Sequence, residues 1–224
     1  IHTHLEKKYE IRAIHVNHNL NESADNWSDF CEKKCNEFGI DLTIKSIHPI
    51  NDGFGIEANA RDERYRVMKE SLSTNEFLLT AHHKDDQLET ILFRIFRGTG
   101  IDGLRGIIHY MDNNDYIIFR PLLEYSRTDL EEYANVNNIE WIEDDSNKNI
   151  YFDRNYIRNL LIPKIKDRWK NVEESTHRLS LIAAENRQLL DELASEDLSQ
   201  ESDPNSISIS CFDSHSIPRI KNMI

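Results

Sequence analysis

The sequence predicts an α/β fold in which a doubly wound parallel sheet is covered by helices on both faces. Apolar runs of strand length, "IRAIHVNH" at 11–18, "IDLTIKSI" at 40–47, "NEFLLTAHH" at 75–83 and "YIIFRPLL" at 116–123, alternate with runs of helical periodicity. Strands separated by helices on that rhythm are βαβ units, whose crossovers require parallel strands. The 224 residues with 38% hydrophobic content suffice to bury one such domain and leave an appendage.

The first strand, 11–18, runs into a polar turn. In "SADNWSDFCEKKCNEFG", Trp27, Phe30, Cys31 and Phe38 recur at helical spacing, Ser23 stands as N-cap and Gly39 just past the C-terminus. After the strand at 40–47 comes a loop with Gly53 and Gly55, then a helix in which Ala60, Arg64, Tyr65, Met68 and Leu72 are in phase. The strand at 75–83 feeds a helix from about Asp85 to Arg97, with Leu88, Ile91, Leu92, Ile95 and Phe96 on one stripe and Gly98 ending it. Ser126 and Asp129 form a capping box for the helix that follows the strand at 116–123.

From 139 the register changes. "IEWIEDDSNKN" reads as a polar turn, and "YFDRNYIRNLLIPKIKDRW" as a short helix broken by Pro163. A long helix over about 171–198 carries a narrow apolar seam of Val172, Leu179, Ile182, Ala183, Leu189 and Leu193, the pattern of a connector packed on one side. The expected division is therefore a domain over 1–170, a helical connector over 171–200 and the start of a second domain over 201–224. The first strand of the domain is expected upstream of Ile1, and the second domain is expected to continue past Ile224.

The net charge of −13 argues against a broad nucleic-acid footprint, so any such contact must use a local patch. Three cysteines, two of them four apart on a helix, do not make a disulfide framework and fit a reducing, cytoplasmic setting. No apolar run reaches the ~18–20 residues of a membrane span, so no membrane partner is expected.

In a fold of this kind the ligand lies beyond the C-terminal ends of the strands. His18, the loop from Asp52 to Gly55 and the turn from His82 to Asp86 fall on that rim. "HHKDDQLE" places two histidines at a strand end, Asp85 and Asp86 in the first helical turn and Glu89 three residues after Asp86, on the same face. One acid there would only complement the helix dipole. Two histidines and three carboxylates in eight positions suit Mg²⁺ beside a nucleotide, with Asp85 and Asp86 as ligands. Zinc is disfavoured, because neither adjacent histidines nor this spacing matches a helical His-x-x-x-His pair. Glu57, Arg61, Arg64, Arg97, Arg154 and Arg158 have ordinary surface explanations singly. Together they put arginines, the side chains suited to phosphate, near the rim of an acidic chain.

Six segments, "HVNHNLNESADNW", "GIEANARDERY", "TAHHKDDQLET", "RGTGIDGL", "RPLL" and "WIEDDSNKN…DRNYIR", follow the order seen in the bacterial tRNA(Ile)-lysidine synthase family of the PP-loop ATP-pyrophosphatase group. The resemblance covers roughly residues 11–198. It implies a Rossmann-like, adenine nucleotide alpha hydrolase-like sheet and a ligase that uses ATP and Mg²⁺. That ligase adenylates the wobble cytidine of the CAU-anticodon isoleucine tRNA and joins free L-lysine to C2. It implies tRNA(Ile), lysine and ATP as partners and admits a homodimer. By position, His83, Asp86 and Glu89 match the acidic helix motif placed around lysine and magnesium, with His82 or His83 as the working histidine. Arg97 joins them as a catalytic candidate. Glu57, Arg61, Arg64, Arg154, Asn155 and Arg158 are the substrate-binding candidates, and Asn17 and His18 the nucleotide contacts. The family's Ser-Gly-Gly-x-Asp-Ser phosphate loop is not in this chain, so the chain alone is expected to bind ATP weakly. The resemblance leaves two alternatives open: a PP-loop enzyme that thiolates tRNA, and a non-catalytic tRNA-binding module.

Overall fold

A computed structural model describes residues 9–48, 56–113, 115–199 and 206–224, apart from the side chains of 56–58, 210 and 212. Contacts group the chain into two compact units, one of residues 1–80, 110–119 and 139–146 and one of 81–109, 120–138 and 147–224.

The first unit is the sheet-bearing one. β1 (Arg12–Asn17) and β2 (Asp41–Ser46) pair in parallel with Ala13 opposite Leu42 and His15 opposite Ile44. α1 (Ala24–Phe38) crosses between them and packs on both. Gly39 ends α1 at φ +64, the left-handed conformation glycine adopts without a Cβ penalty. The start of α1 differs from expectation. Ser23 makes no side-chain cap bond; Asn21 shapes the turn instead, its Oδ1 accepting from the Ser23 N–H at 2.8 Å. α2 (Ile56–Glu70) contacts β1. β3 (Phe77–Leu79) pairs in parallel with β5 (Ile117–Phe119), and β5 pairs antiparallel with β4 (Tyr110–Asp112). β4 is an addition to the expected parallel strands: at three residues it is too short to show alternation. Ile118 at the centre of β5 is fully buried.

The second unit is helical. It holds α3 (Lys84–Phe96), α4 (Ile101–Leu104) and α5 (Arg127–Val136), whose capping box is formed as predicted, the Asp129 N–H donating to Ser126 Oγ at 3.1 Å and Asp129 Oδ2 accepting from the Ser126 N–H at 2.7 Å. α6 (Asp153–Tyr156) continues through a π-turn at Ile157–Leu161 into α7 (Ile162–Arg168). Pro163 therefore does not break the helix. The proline lacks an N–H and its ring crowds the carbonyl four residues back, and the wider π-turn just before it absorbs both. Leu88, Ile157 and Ile162 form the buried centre, with Leu92, Phe93, Leu161 and Val172 packed round them.

α8 (Val172–Leu198) runs along α3 and α4, and α10 (Ile217–Met223), which follows α9 (Ile209–Ser214), packs against it. The buried face of α8 is Ser180, Ala183 and Asp197, whereas Leu179, Ile182 and Leu189 of the expected seam are exposed. Small side chains let α8 approach its neighbours closely, and Asp197 is buried because Arg219 pairs with it, Nε to Oδ2 at 2.8 Å. No helix among the described residues is long and apolar enough to cross a membrane.

Candidate functional site

α3 carries most of the candidate chemistry, and its sequence explains why it is held so firmly. Gln87, Leu88, Glu89, Thr90 and Ile91 are all buried, so one whole turn of the helix is enclosed. His83 takes the N-cap position in extended conformation, and its backbone N–H donates to Asp86 Oδ2 at 3.0 Å. A carboxylate at that position satisfies a free N–H and complements the positive end of the helix. The His83 ring lies between the two aspartates, Nε2 3.4 Å from Asp86 Oδ2 and Nδ1 3.7 Å from Asp85 Oδ2. Its Nδ1 is buried without a hydrogen-bond partner among the described residues.

One turn on, Glu89 is only 2% exposed, an unusual place for a carboxylate. Arg158 reaches it from the π-turn, with Nε donating to Glu89 Oε2 at 2.7 Å and a second guanidinium nitrogen also at 2.7 Å. Arg154, four residues earlier and so on the same helical face, lies 3.8 Å from Glu89 Oε1. Burial pushes the Glu89 carboxyl above the usual carboxylate range, against the pull of Arg158 and Arg154. Arg158 also approaches Asp86 Oδ1 at 3.7 Å and donates to Asn147 Oδ1 at 3.0 Å.

The row continues along α3. The Arg154 and Arg97 guanidinium carbons lie 5.5 and 4.3 Å from the centre of the Phe93 ring, and Arg97 is 3.9 Å from Asp153. Acid, arginine and ring thus follow one another as Asp86, Arg158, Glu89, Arg154, Phe93 and Arg97. Such a row can hold a polyanion by its guanidinium groups while Asp86 and His83 manage an ammonium or a proton at its far end.

Asp85 and Asn155 do something else. Asp85 Oδ1 accepts from the Lys166 ammonium at 2.6 Å and Oδ2 from the Arg127 N–H at 2.7 Å. Burial opposes its ionisation, but hydrogen bonds with Glu173, Lys166 and that N–H prevail and hold its carboxyl down at about 2. Glu173, which shares Lys166, is pushed up by burial and by Asp85. Asn155 is buried and donates to the Asn149 carbonyl at 2.9 Å, which makes it part of the turn. Among the described residues no set of three His, Cys, Asp or Glu side chains converges on a metal position. With both Asp85 oxygens taken, Asp86 would be the aspartate of the pair to hold a magnesium ion, through Oδ1.

In the sheet-bearing unit, Asn17 is buried and its amide donates to Asp25 Oδ1 at 2.9 Å and Ser28 Oγ at 3.3 Å, a structural task in the turn after β1. His18 packs edge-on to Trp27 and its Nδ1 accepts from the Leu20 N–H at 3.2 Å. Arg61 and Arg64 both flank Tyr65, at 5.5 and 5.9 Å from its centre. The Glu57 side chain and the loop from Asp52 to Gly55 lie outside the described residues.

The structure thus gathers His83, Asp86, Glu89, Arg97, Arg154 and Arg158, with the His83 ring beside both aspartates. Sequence reasoning missed Phe93, Lys166 and Glu173. Phe93 carries a signal, standing four residues after Glu89 and four before Arg97. Lys166 and Glu173 carry none, because their meeting with Asp85 depends on how three helices pack.

The PP-loop domain family model matches residues 2–165. A tRNA(Ile)-lysidine synthase of Actinobacillus pleuropneumoniae serotype 3 (strain JL03) is 36% identical over 226 residues, which cover 100% of this chain and 54% of that protein. One of Yersinia pseudotuberculosis serotype O:1b (strain IP 31758) is 42% identical over 194 residues, covering 87% and 43%. The chain spans about half the length of the curated relatives it matches. Among solved structures, the U34-tRNA thiolase NcsA from Methanococcus maripaludis with its [4Fe-4S] cluster has a TM-score of 0.61 at 14% identity, covering 82% of this chain and 65% of that one. That likeness is one of fold.

Proposed function

The chain belongs to the PP-loop domain family, and from that premise we propose that it forms the catalytic part of a cytoplasmic ligase that converts the wobble cytidine of CAU-anticodon tRNA(Ile) to lysidine. The C2 carbonyl oxygen of the cytidine attacks the α-phosphate of ATP and releases pyrophosphate. The ε-amine of free L-lysine then attacks C2, and the C2–O bond breaks as AMP leaves. Residues 1–170 are the ATPase-type catalytic domain in this reading, 171–200 a helical connector and 201–224 the start of a further domain.

The observation that carries the proposal is the buried Glu89 with Arg158 and Arg154 around it, one turn from Asp86 and His83. Arg97 and Arg154 take phosphate oxygens, whose charge a planar two-pronged guanidinium matches better than a lysine does. Arg61 and Arg64 are assigned the same class of contact. Asp86, beside the His83 ring, orients the lysine ε-ammonium and, with His83, accepts the proton that the amine must lose to become a nucleophile. Glu89 acts on the arginines: enclosed between Arg158 and Arg154, it is the counter-ion that keeps both at the site. Asp86 is also where Mg²⁺ would be held, and there the ion supplies charge neutralisation for the phosphates.

A thiolation reading is disfavoured by the cysteines. Cys31 and Cys35 are half-buried on α1, and burial pushes both thiols up, the opposite of what a sulfur-carrying thiolate needs. The test is AMP release by the intact protein with a CAU-anticodon tRNA(Ile) transcript, with and without lysine. Release that needs both, and that drops at least about tenfold in Asp86→Asn, is the expected result for loss of a general base. Release indifferent to lysine would overturn the assignment in favour of another PP-loop modification, and no release would favour the non-catalytic module.

A further inference from the structure

Phe93 sits where two arginines meet, yet the chemistry above gives it no task. Its position on α3 is set from below by contact with the buried centre of Leu88, Ile157 and Ile162. Across the ring lie Arg97, with its guanidinium carbon 4.3 Å from the ring centre, and Arg154 at 5.5 Å. Two like charges drawn to one small area repel each other, so something must favour the arrangement. Arg154 is also drawn to Glu89 at 3.8 Å, whereas Arg97 meets Asp153 at 3.9 Å with both side chains exposed, 66% and 74%, where solvent screens the pair. The π face is what the two arginines share: its negative quadrupole attracts both cations, and the ring is seated on the core.

We propose that Phe93 is a positioning residue, whose ring face gathers the guanidinium groups of Arg97 and Arg154 so that they meet a phosphate-bearing substrate as one preformed clamp. The inference deepens the proposed function and rests on it for the identity of the substrate. The chemistry recognised is a phosphate ester or anhydride, either of the ATP polyphosphate or of the tRNA backbone. Both arginines carry long, rotamer-rich side chains, and ordering them before the substrate arrives removes that cost from binding. The same device occurs in the sheet-bearing unit, where Arg61 and Arg64 flank Tyr65 at 5.5 and 5.9 Å.

The test compares Phe93→Leu, Phe93→Tyr and Phe93→Trp in the intact protein. Leucine keeps an apolar contact with the core and loses the π face, whereas tyrosine and tryptophan keep the face. Phe93→Leu is expected to raise the KM for one phosphate-bearing substrate by about three- to tenfold, the range of one or two cation–π contacts. Its kcat stays within about twofold and its melting temperature close to wild type. A rise confined to ATP identifies the polyphosphate as the ligand, and one confined to tRNA identifies the backbone. Phe93→Tyr or Phe93→Trp restores the wild-type KM. The proposal is overturned if Phe93→Leu leaves both KM values unchanged, or if the tyrosine and tryptophan variants fail as leucine does, since only packing would then matter. Should the wild-type protein release no AMP, the functional assignment fails separately. The clamp is then judged by equilibrium binding of Mg-ATP and of the tRNA transcript: weaker binding by Phe93→Leu of either supports it, and equal binding of both overturns it.

Discussion

Arg158→Ala tests the buried acid at the centre of the site. Glu89 is 2% exposed, and Arg158 supplies its two contacts at 2.7 Å. With Arg158 gone, Arg154 at 3.8 Å is the cation still placed beside the carboxylate. Leaving a buried charge unpaired costs about 3–5 kcal/mol, and the remaining arginine offsets part of that, so about 2–3 kcal/mol is expected at pH 8. For a chain of this size that corresponds to a melting temperature about 5–10 °C lower. The loss is also pH-dependent, with a definite sign. Burial already raises the Glu89 carboxyl above its ordinary value, and removal of Arg158 raises it further. An acid with a raised folded pKa binds more protons folded than unfolded, so stability falls as pH rises through the window between the two values. The deficit of Arg158→Ala should therefore shrink between pH 8 and pH 5 as Glu89 becomes neutral, and adding Glu89→Gln should recover a good part of it at pH 8. Thermal unfolding of the single and double variants across that range is the assay. A deficit under about 2 °C that ignores pH would refute the reasoning, because Glu89 would then not be carrying a buried charge.

Lys166→Met removes the ammonium shared by Asp85 and Glu173 and sets two carboxyls against each other, so it should lower the melting temperature by several degrees at pH 7, with Glu173→Gln in the same chain restoring it. In the wild type, Asp85 is held down at about 2, so its share of stability is present above about pH 4 and disappears as acid titration proceeds below that, which an acid-unfolding curve of Asp85→Asn against wild type will show. Gly106→Ala should cost about 2–4 kcal/mol by chemical denaturation. Gly106 has φ +61, and a Cβ there would stand 2.4 Å from Gln87 Oε1, which is anchored by donation from the Ile107 N–H at 2.5 Å. A cost below about 0.5 kcal/mol would show that the Gln87 amide moves freely.

Much of this protein is legible in the chain by itself, and for a local reason. α1, α3 and α5 and the strands β1, β2 and β5 are short-range objects, and periodicity, glycine at a left-handed position and the Ser126–Asp129 box specify them within a few residues. The same holds for the cluster of His83, Asp86 and Glu89, which helical spacing alone puts at one end of α3. Tertiary packing decided what those groups face. That Asp85 turns to Lys166 and Glu173, that Asn17 is absorbed by its own turn, and that Glu89 is enclosed between Arg154 and Arg158 depend on residues up to 88 positions apart in sequence, from Asp85 to Glu173. Packing also decided which side of α8 is inside: small Ser180 and Ala183 went in because close approach between helices outweighs the burial of larger leucines that would hold them apart. Spacing along a helix is fixed by the 3.6-residue turn, whereas the partner met by each charged side chain is fixed by desolvation, which acts only once the chain has closed around it.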